Sequence, residues 1–298
     1  MITQEFKTKV RNAILQNREN YPSLSDAKYA KILGISASVF SRLKNGETEK
    51  IVTDHFWIEQ GRKLNVTLKD KKWTTVRTKV YVEIENSIHF CKKYKKAIIL
   101  IDDCGIGKSF CTRHITQHIE NAFYIDCSQG RTKTEFIRLL ARTLGVDTTG
   151  KIADVKANLK YYINLIQPFI ALDDAGYLNN NVIPEIIETW NASEGNCGWM
   201  MIGDHTLQEK FRKGLQNKKI GFPAVFDRFS GDYTYCIPTG SSKKKQDYLI
   251  QLIGDVASAN MADPTKVNQM IKKCLTDQQL LRHLDTLIQK ENEKSINC

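Results

Sequence analysis

The chain of 298 residues holds only six prolines and 17 glycines, too few for a collagenous or low-complexity protein. It contains no apolar run of the roughly 18 to 20 residues needed to span a bilayer, so no membrane partner is expected. Its first residues, Met1-Ile-Thr-Gln-Glu-Phe-Lys7, carry no apolar signal-peptide stretch, so a cytoplasmic protein is expected. The eight cysteines are Cys91, Cys104, Cys111, Cys127, Cys197, Cys236, Cys274 and Cys298; none forms a C-x-x-C pair, and no histidine follows at zinc-finger spacing. A structural metal site is therefore disfavoured. A disulfide framework is not expected in a chain of this size without a signal peptide, and the thiols read as reduced and mostly buried.

Other quantities are ample. The apolar fraction of 41% and the aromatic fraction of 9% can fill a core, which excludes wholesale disorder. The formal charge is +11. Residues 1–72 hold 14 Lys/Arg against 8 Asp/Glu, so +6 of that excess lies in about a quarter of the chain. A basic excess of this size points to a polyanionic partner, most often nucleic acid, or to a merely soluble basic surface.

The polar segment Thr67–Thr75 reads as a linker or hinge, and Val76 to Tyr94 as an amphipathic helix with Val80, Ile84, Ile88 and Cys91 on one face. From Lys96 onward, short apolar runs alternate with helical stretches. The runs are Ala97–Ile101, Ala122–Ile125, Phe169–Leu172, Trp199–Ile202 and Tyr233–Ile237; helices are expected over Phe110–Ile119, Thr134–Leu144 and Ile152–Ile166. The pattern predicts an α/β domain with a buried, mainly parallel five-stranded sheet. Residues 241–298 contain no strand-like run and read as three or four helices.

The segment Asp102-Asp-Cys-Gly-Ile-Gly-Lys-Ser109 follows the first apolar run and opens a helix, the context of a phosphate-binding loop. Gly105 and Gly107 free the backbone to wrap a phosphate beside a helix N-terminus. Lys108 would reach the β- and γ-phosphates, and the Ser109 hydroxyl would ligate Mg²⁺. Cys104, Ile106 and Phe110 complete the nucleotide-binding stretch. Asp102 stands where G-x-x-x-x-G-K-[ST] has its first glycine. A carboxylate at the loop mouth is expected to repel phosphate, and a side chain there to demand unusual backbone angles.

The third run ends in Asp173 and Asp174, placed to hold Mg²⁺ and to polarise an attacking water. Asp204 follows the fourth run and reads either as a residue orienting the lytic water or as part of a turn. Arg228, set among apolar residues, is an arginine finger or a surface arginine. Arg282 lies in a helical stripe and either touches the nucleotide or is solvated.

Near the N-terminus, Ser23 to Gly46 reads as two helices joined at Gly34, the second capped by Ser36 and carrying Ser38, Ser41, Arg42 and Lys44 outward. The segment resembles a phage-repressor helix-turn-helix, whose second helix reads the major groove; a helical hairpin without DNA contact is the alternative.

The order helix-turn-helix, phosphate loop, Asp-Asp strand and helical tail is similar to that of the AAA+ ATPases of transposition, above all the MuB family, with IstB and TnsC more distant. The resemblance implies a helix-turn-helix domain at 1–66, a linker at 67–75, an AAA+ P-loop ATPase domain at 76–240 and a C-terminal α-helical lid at 241–298. Its nucleotide-binding residues fall on Gly105, Gly107, Lys108 and Ser109, its metal and catalytic carboxylates on Asp173 and Asp174, and its sensor positions on Asp204 and Arg282, with Arg228 in the finger region. Asp102, Asp174 and Asp204 depart from the common pattern, which bears on turnover more than on binding. The resemblance further implies ATP and Mg²⁺ as cofactors, a filament of identical subunits on double-stranded DNA, and stimulation of a transposase. It implies a protein of bacterial cytoplasm encoded by a prophage or mobile element. Arg131 and Lys133 are candidate basic contacts to the DNA, or part of a solvated loop. A helicase loader, a replication factor, and a repressor-like regulator with a degenerate nucleotide fold remain alternatives.

Overall fold

In a computed structural model of the chain, residues 2–64, 66, 73–276 and 283–296 are described. The order of elements is α1 (Gln4–Arg18), α2 (Asp26–Leu33), α3 (Ala37–Lys44), α4 (Asp54–Lys63), α5 (Lys79–Tyr94), β1 (Ala97–Ile101), α6 (Lys108–Thr116), β2 (Ala122–Asp126), α7 (Lys133–Leu144), α8 (Ile152–Ile166), β3 (Phe169–Asp173), α9 (Ile183–Ala192), β4 (Gly198–Gly203), α10 (His205–Gln216), α11 (Phe222–Arg228), β5 (Tyr233–Thr234), α12 (Ser242–Asn260), α13 (Val267–Thr276) and α14 (Leu284–Ile296).

The five strands form one parallel sheet in the order β2-β3-β4-β1-β5. Every residue of β1, β3 and β4 is buried, as the continuous apolar runs require of strands covered on both faces. Register is set by pairs such as Ala97 with Trp199 and Ile101 with Gly203. The last strand is shorter than its apolar run. Only Ile99 and Leu100 pair with Tyr233 and Thr234, and beyond Tyr235 the N–H groups of Cys236 and Ile237 turn to the carboxylate of Asp102.

Helix ends follow local chemistry. Thr78 accepts a hydrogen bond from the N–H of Tyr81, so α5 starts at Lys79 rather than at Val76. Thr132 and Glu135 form a capping box at the start of α7. Helix α8 has the bounds that periodicity predicts, and α6 begins two residues earlier than expected, within the glycine-rich loop.

By contacts the chain divides into two compact units. One comprises Met1–Lys71, Thr116–Ile170 and Leu178–Cys197. Its N-terminal helices close around Val10, Ile14, Tyr29, Phe40, Leu43 and Trp57, all fully buried. Arg18 fastens the α1–α2 corner, donating to the Asp26 carboxylate at 3.0 Å and to the carbonyls of Tyr21 and Leu24. Gly34 is left-handed (φ +76°), and the following N–H of Ile35 returns to the carbonyl of Ala30. These helices also pack on the rest of their unit. The Tyr21 and Phe123 rings lie 5.3 Å apart, the Lys28 ammonium sits over Tyr162, and Lys31 pairs with Asp147.

The other unit comprises Lys72–Ile115, Ala171–Tyr177 and Gly198–Cys298. Among its described residues, α12, α13 and α14 surround Ile253, Ala257, Met270 and Ile288, with Trp73 packed against that cluster. The Asn260 side chain bonds both the N–H and the carbonyl of Thr74, as a neighbouring strand would. Seven cysteines among the described residues are free, and all but Cys104 are buried. No helix among them is long and apolar enough to cross a membrane.

Candidate nucleotide-binding site

Parallel strands deliver the residues that succeed them to one edge of a sheet, and the adjacent strands β3, β4 and β1 are succeeded by Asp174, Asp204 and the loop from Asp102 to Lys108. Gly105 and Gly107 both hold positive φ, +86° and +98°, a conformation that only glycine adopts without strain. The loop then runs into the N-terminus of α6, where backbone N–H groups are free of helical partners. Lys108 is buried, and its ammonium donates to the carbonyls of Asp102 at 2.8 Å and Asp103 at 2.6 Å. The lysine is thus curled over its own loop, where an incoming phosphate would compete for it. Ile106 is buried, Ser109 half-buried, and Cys104 and Phe110 exposed. The Phe110 ring lies against His114, whose Nδ1 is 3.2 Å from the Tyr81 hydroxyl.

Asp102 overturns two expectations. Its carboxylate does not face the loop mouth. It is 4% exposed and accepts hydrogen bonds from the N–H groups of Cys236 and Ile237, each at 2.8 Å, and of Asp103 at 2.8 Å. Its backbone is also outside the left-handed region. Replacing the glycine therefore places no anion in the phosphate's path.

Asp204 caps α10 and meets the loop directly. It accepts from the Thr206 N–H and hydroxyl, and the Cys104 thiol donates to its Oδ2 at 3.1 Å. Burial pushes its pKa up, but the Thr206 hydroxyl, the Cys104 thiol, the Thr206 N–H and the Lys108 charge outweigh that and hold the carboxyl below its usual range. Asp173 ends β3 with 1% exposure. Asp174 is exposed and left-handed (φ +52°), and its carbonyl accepts from the N–H of Tyr177. Asp is one of the few side chains that tolerate this conformation, through local hydrogen bonding.

Three residues that sequence reasoning passed over complete the cluster. The Asp103 carboxylate receives Lys245 of α12 at 2.7 Å and Nε2 of His205 at 3.1 Å. Burial raises the Asp103 pKa, and its hydrogen bonds to Lys245 and His205 more than reverse that, so the carboxyl is held below its usual range. The only signal for Lys245 was the basic run Lys243-Lys244-Lys245 at the start of the tail.

The remaining candidates are not gathered here. Arg228 ends α11, donates to the carbonyl of Ala224 at 3.4 Å and is 33% exposed. Arg282 lies outside the described residues. In the other unit, Ser36, Ser38, Ser41, Arg42 and Lys44 are all exposed on α3 and its cap. Arg42 pairs with Glu47 and Lys44 with Asp26. Arg131 donates to the carbonyl of Ser128, and Lys133 pairs with buried Glu185 at 2.6 Å.

The donor set suits a magnesium nucleotide. The loop offers a curled lysine, two left-handed glycines and a helix N-terminus, and Ser109 supplies a hydroxyl one residue beyond the lysine. Residues 91–211 match a family model described as AAA domain. A search of curated proteins found no match.

Proposed function

We propose that this AAA-type P-loop NTPase domain binds and hydrolyses ATP, and that the chain uses the nucleotide to assemble on double-stranded DNA as a target-selecting activator of a transposase. The observation that carries the ATPase reading is the Lys108 ammonium held by the carbonyls of Asp102 and Asp103 inside a loop with two left-handed glycines. Phosphate oxygens would replace those carbonyls as acceptors, adding an opposite charge on the acceptor to bonds that the ammonium already strengthens.

Each residue has a role in this reading. Lys108 and the loop N–H groups hold the phosphates, and Phe110 borders the same stretch. Ser109 and Asp173 would hold Mg²⁺, which when bound neutralises charge on the phosphates. Asp174 accepts the proton of the attacking water, and Asp204, kept ionised and fixed to α10 and Cys104, orients that water. Arg228 acts toward the nucleotide of an adjacent copy. For DNA, the support is the exposed row Ser36, Ser38, Ser41, Arg42 and Lys44 together with the basic N-terminal quarter. The filament interior is read as contacting phosphates without sequence preference, so binding is weakened by salt. Arg131 and Lys133 are weaker candidates for DNA contact, since Lys133 already neutralises Glu185.

The test is negative-stain microscopy of the protein with random double-stranded DNA and no nucleotide, ADP, ATP, or ATP with Lys108→Ala. Filaments that need ATP and Lys108 support the proposal, and a transposase assay then separates activation from other DNA transactions. Closed rings favour a helicase loader. Absence of nucleotide-dependent assembly refutes the filament and leaves a repressor-like regulator.

A further inference from the structure

We propose that Asp102 is a positioning residue that couples the phosphate loop to the chain entering the C-terminal helices, so that loop occupancy and placement of those helices form one equilibrium. The inference rests on the reading of residues 102–109 as a nucleotide loop.

A glycine at this position would offer no side chain. Asp102 instead sends a carboxylate across to Cys236 and Ile237, 134 and 135 residues away in sequence, and accepts both of their N–H groups at 2.8 Å. Buried N–H groups need an acceptor, and these two have left the sheet ladder after Thr234. The carboxylate thereby fixes where the chain goes next: through Pro238, Thr239 and Gly240, the last with φ +122°, and into α12. The neighbouring Asp103 carboxylate holds the same helix through Lys245. Two consecutive side chains of the loop thus grip the entrance to α12, one through backbone and one through an ion pair.

The main chain of the same two residues holds Lys108. When phosphate draws the ammonium away, the carbonyls of Asp102 and Asp103 lose their donor. The two peptide units then settle again while their side chains remain attached to Cys236, Ile237 and Lys245. A change at the phosphate is passed to α12 through these hydrogen bonds and the Asp103–Lys245 ion pair. This also accounts for why a carboxylate occupies a position where the phosphate itself needs only backbone.

The experiment monitors amide exchange in residues 233–245 with and without a slowly hydrolysed ATP analogue and Mg²⁺, in the full chain and in Asp102→Gly and Asp102→Asn. Inorganic tripolyphosphate binding is measured alongside, since it reports the loop without the base. The wild type should change exchange in this segment about tenfold on nucleotide binding. Asp102→Gly should keep tripolyphosphate affinity within about threefold and lose that exchange response. Asp102→Asn, which keeps one acceptor oxygen, should lie between them. An unchanged response in Asp102→Gly overturns the proposal, as does wild-type exchange that ignores nucleotide, a result needing no variant to fold. Failure of the loop reading looks different: wild type and Lys108→Ala would then bind tripolyphosphate equally poorly.

Discussion

The Lys245 ammonium lies 2.7 Å from the Asp103 carboxylate, so the fourth residue of α12 is tied to the second residue of the glycine-rich loop. His205 reaches the other carboxylate oxygen from α10. The loop, α10 and α12 therefore meet on one acidic side chain.

This contact has a pH signature. A carboxyl whose folded pKa lies below its ordinary value of 3.8 stabilises the fold above that value and loses the contribution as the folded pKa is passed. The difference in melting temperature between wild type and Asp103→Asn should hold down to about pH 5 and shrink below about pH 4. A difference that grows on acidification contradicts the assignment. The Asp103 side chain is 33% exposed, so the effect is small and weakens with salt.

Nucleotide binding and hydrolysis should separate by residue. Lys108→Ala should weaken binding of a fluorescent ATP analogue by at least about tenfold, as expected when charge-assisted bonds of roughly 1.5–3 kcal/mol are lost. Asp174→Asn should bind within a few-fold of wild type while phosphate release falls by about 10²-fold or more, the range for loss of a general base. Phosphate release by Asp174→Asn at the wild-type rate would remove Asp174 from the chemistry.

The exposed face of α3 gives a prediction for DNA. Changing Ser38, Arg42 and Lys44 together to alanine should reduce binding of random duplex, and the slope of log K against log salt should fall by about one per phosphate contact removed. Arg42 and Lys44 exchange their partners Glu47 and Asp26 for phosphate in this scheme. Unchanged slope in fluorescence-anisotropy titrations would place the DNA elsewhere.

Gly198 tests the packing beneath the site. A Cβ there would lie 2.4 Å from the carbonyl oxygen of Cys91, a backbone atom of α5 that no rotamer change can move. Gly198→Ala should destabilise the protein by about 1–3 kcal/mol in urea unfolding, the range for overpacking. A variant as stable as wild type would mean that α5 yields.

Strands β1, β3 and β4 were legible because buried parallel strands are written as unbroken apolar runs, such as Ala97–Ile101. The loop was legible because Gly105, Gly107, Lys108 and Ser109 stand between a strand and a helix. What a carboxylate accepts was not. Nothing near Asp102 indicates that its partners are Cys236 and Ile237, so the apolar run Tyr233–Ile237 reads as a longer strand than the Tyr233–Thr234 that forms. Lys245 was equally hidden, since a lysine beside two others on a polar helix start reads as solvated. Helix starts drifted by two or three residues, where the capping threonine Thr78 or the loop geometry before Lys108 decided the boundary.

The brevity of β5 has a consequence for how copies of the chain can meet. An edge strand with a long row of unused N–H and C=O groups is a template on which another chain can add itself. Here the edge strand ends at Thr234, and the N–H groups of Cys236 and Ile237 are consumed internally by Asp102. That border of the sheet offers little backbone for strand addition. Contact between copies along it would fall mainly to side chains, whose geometry and charge can be specific in a way that backbone pairing is not.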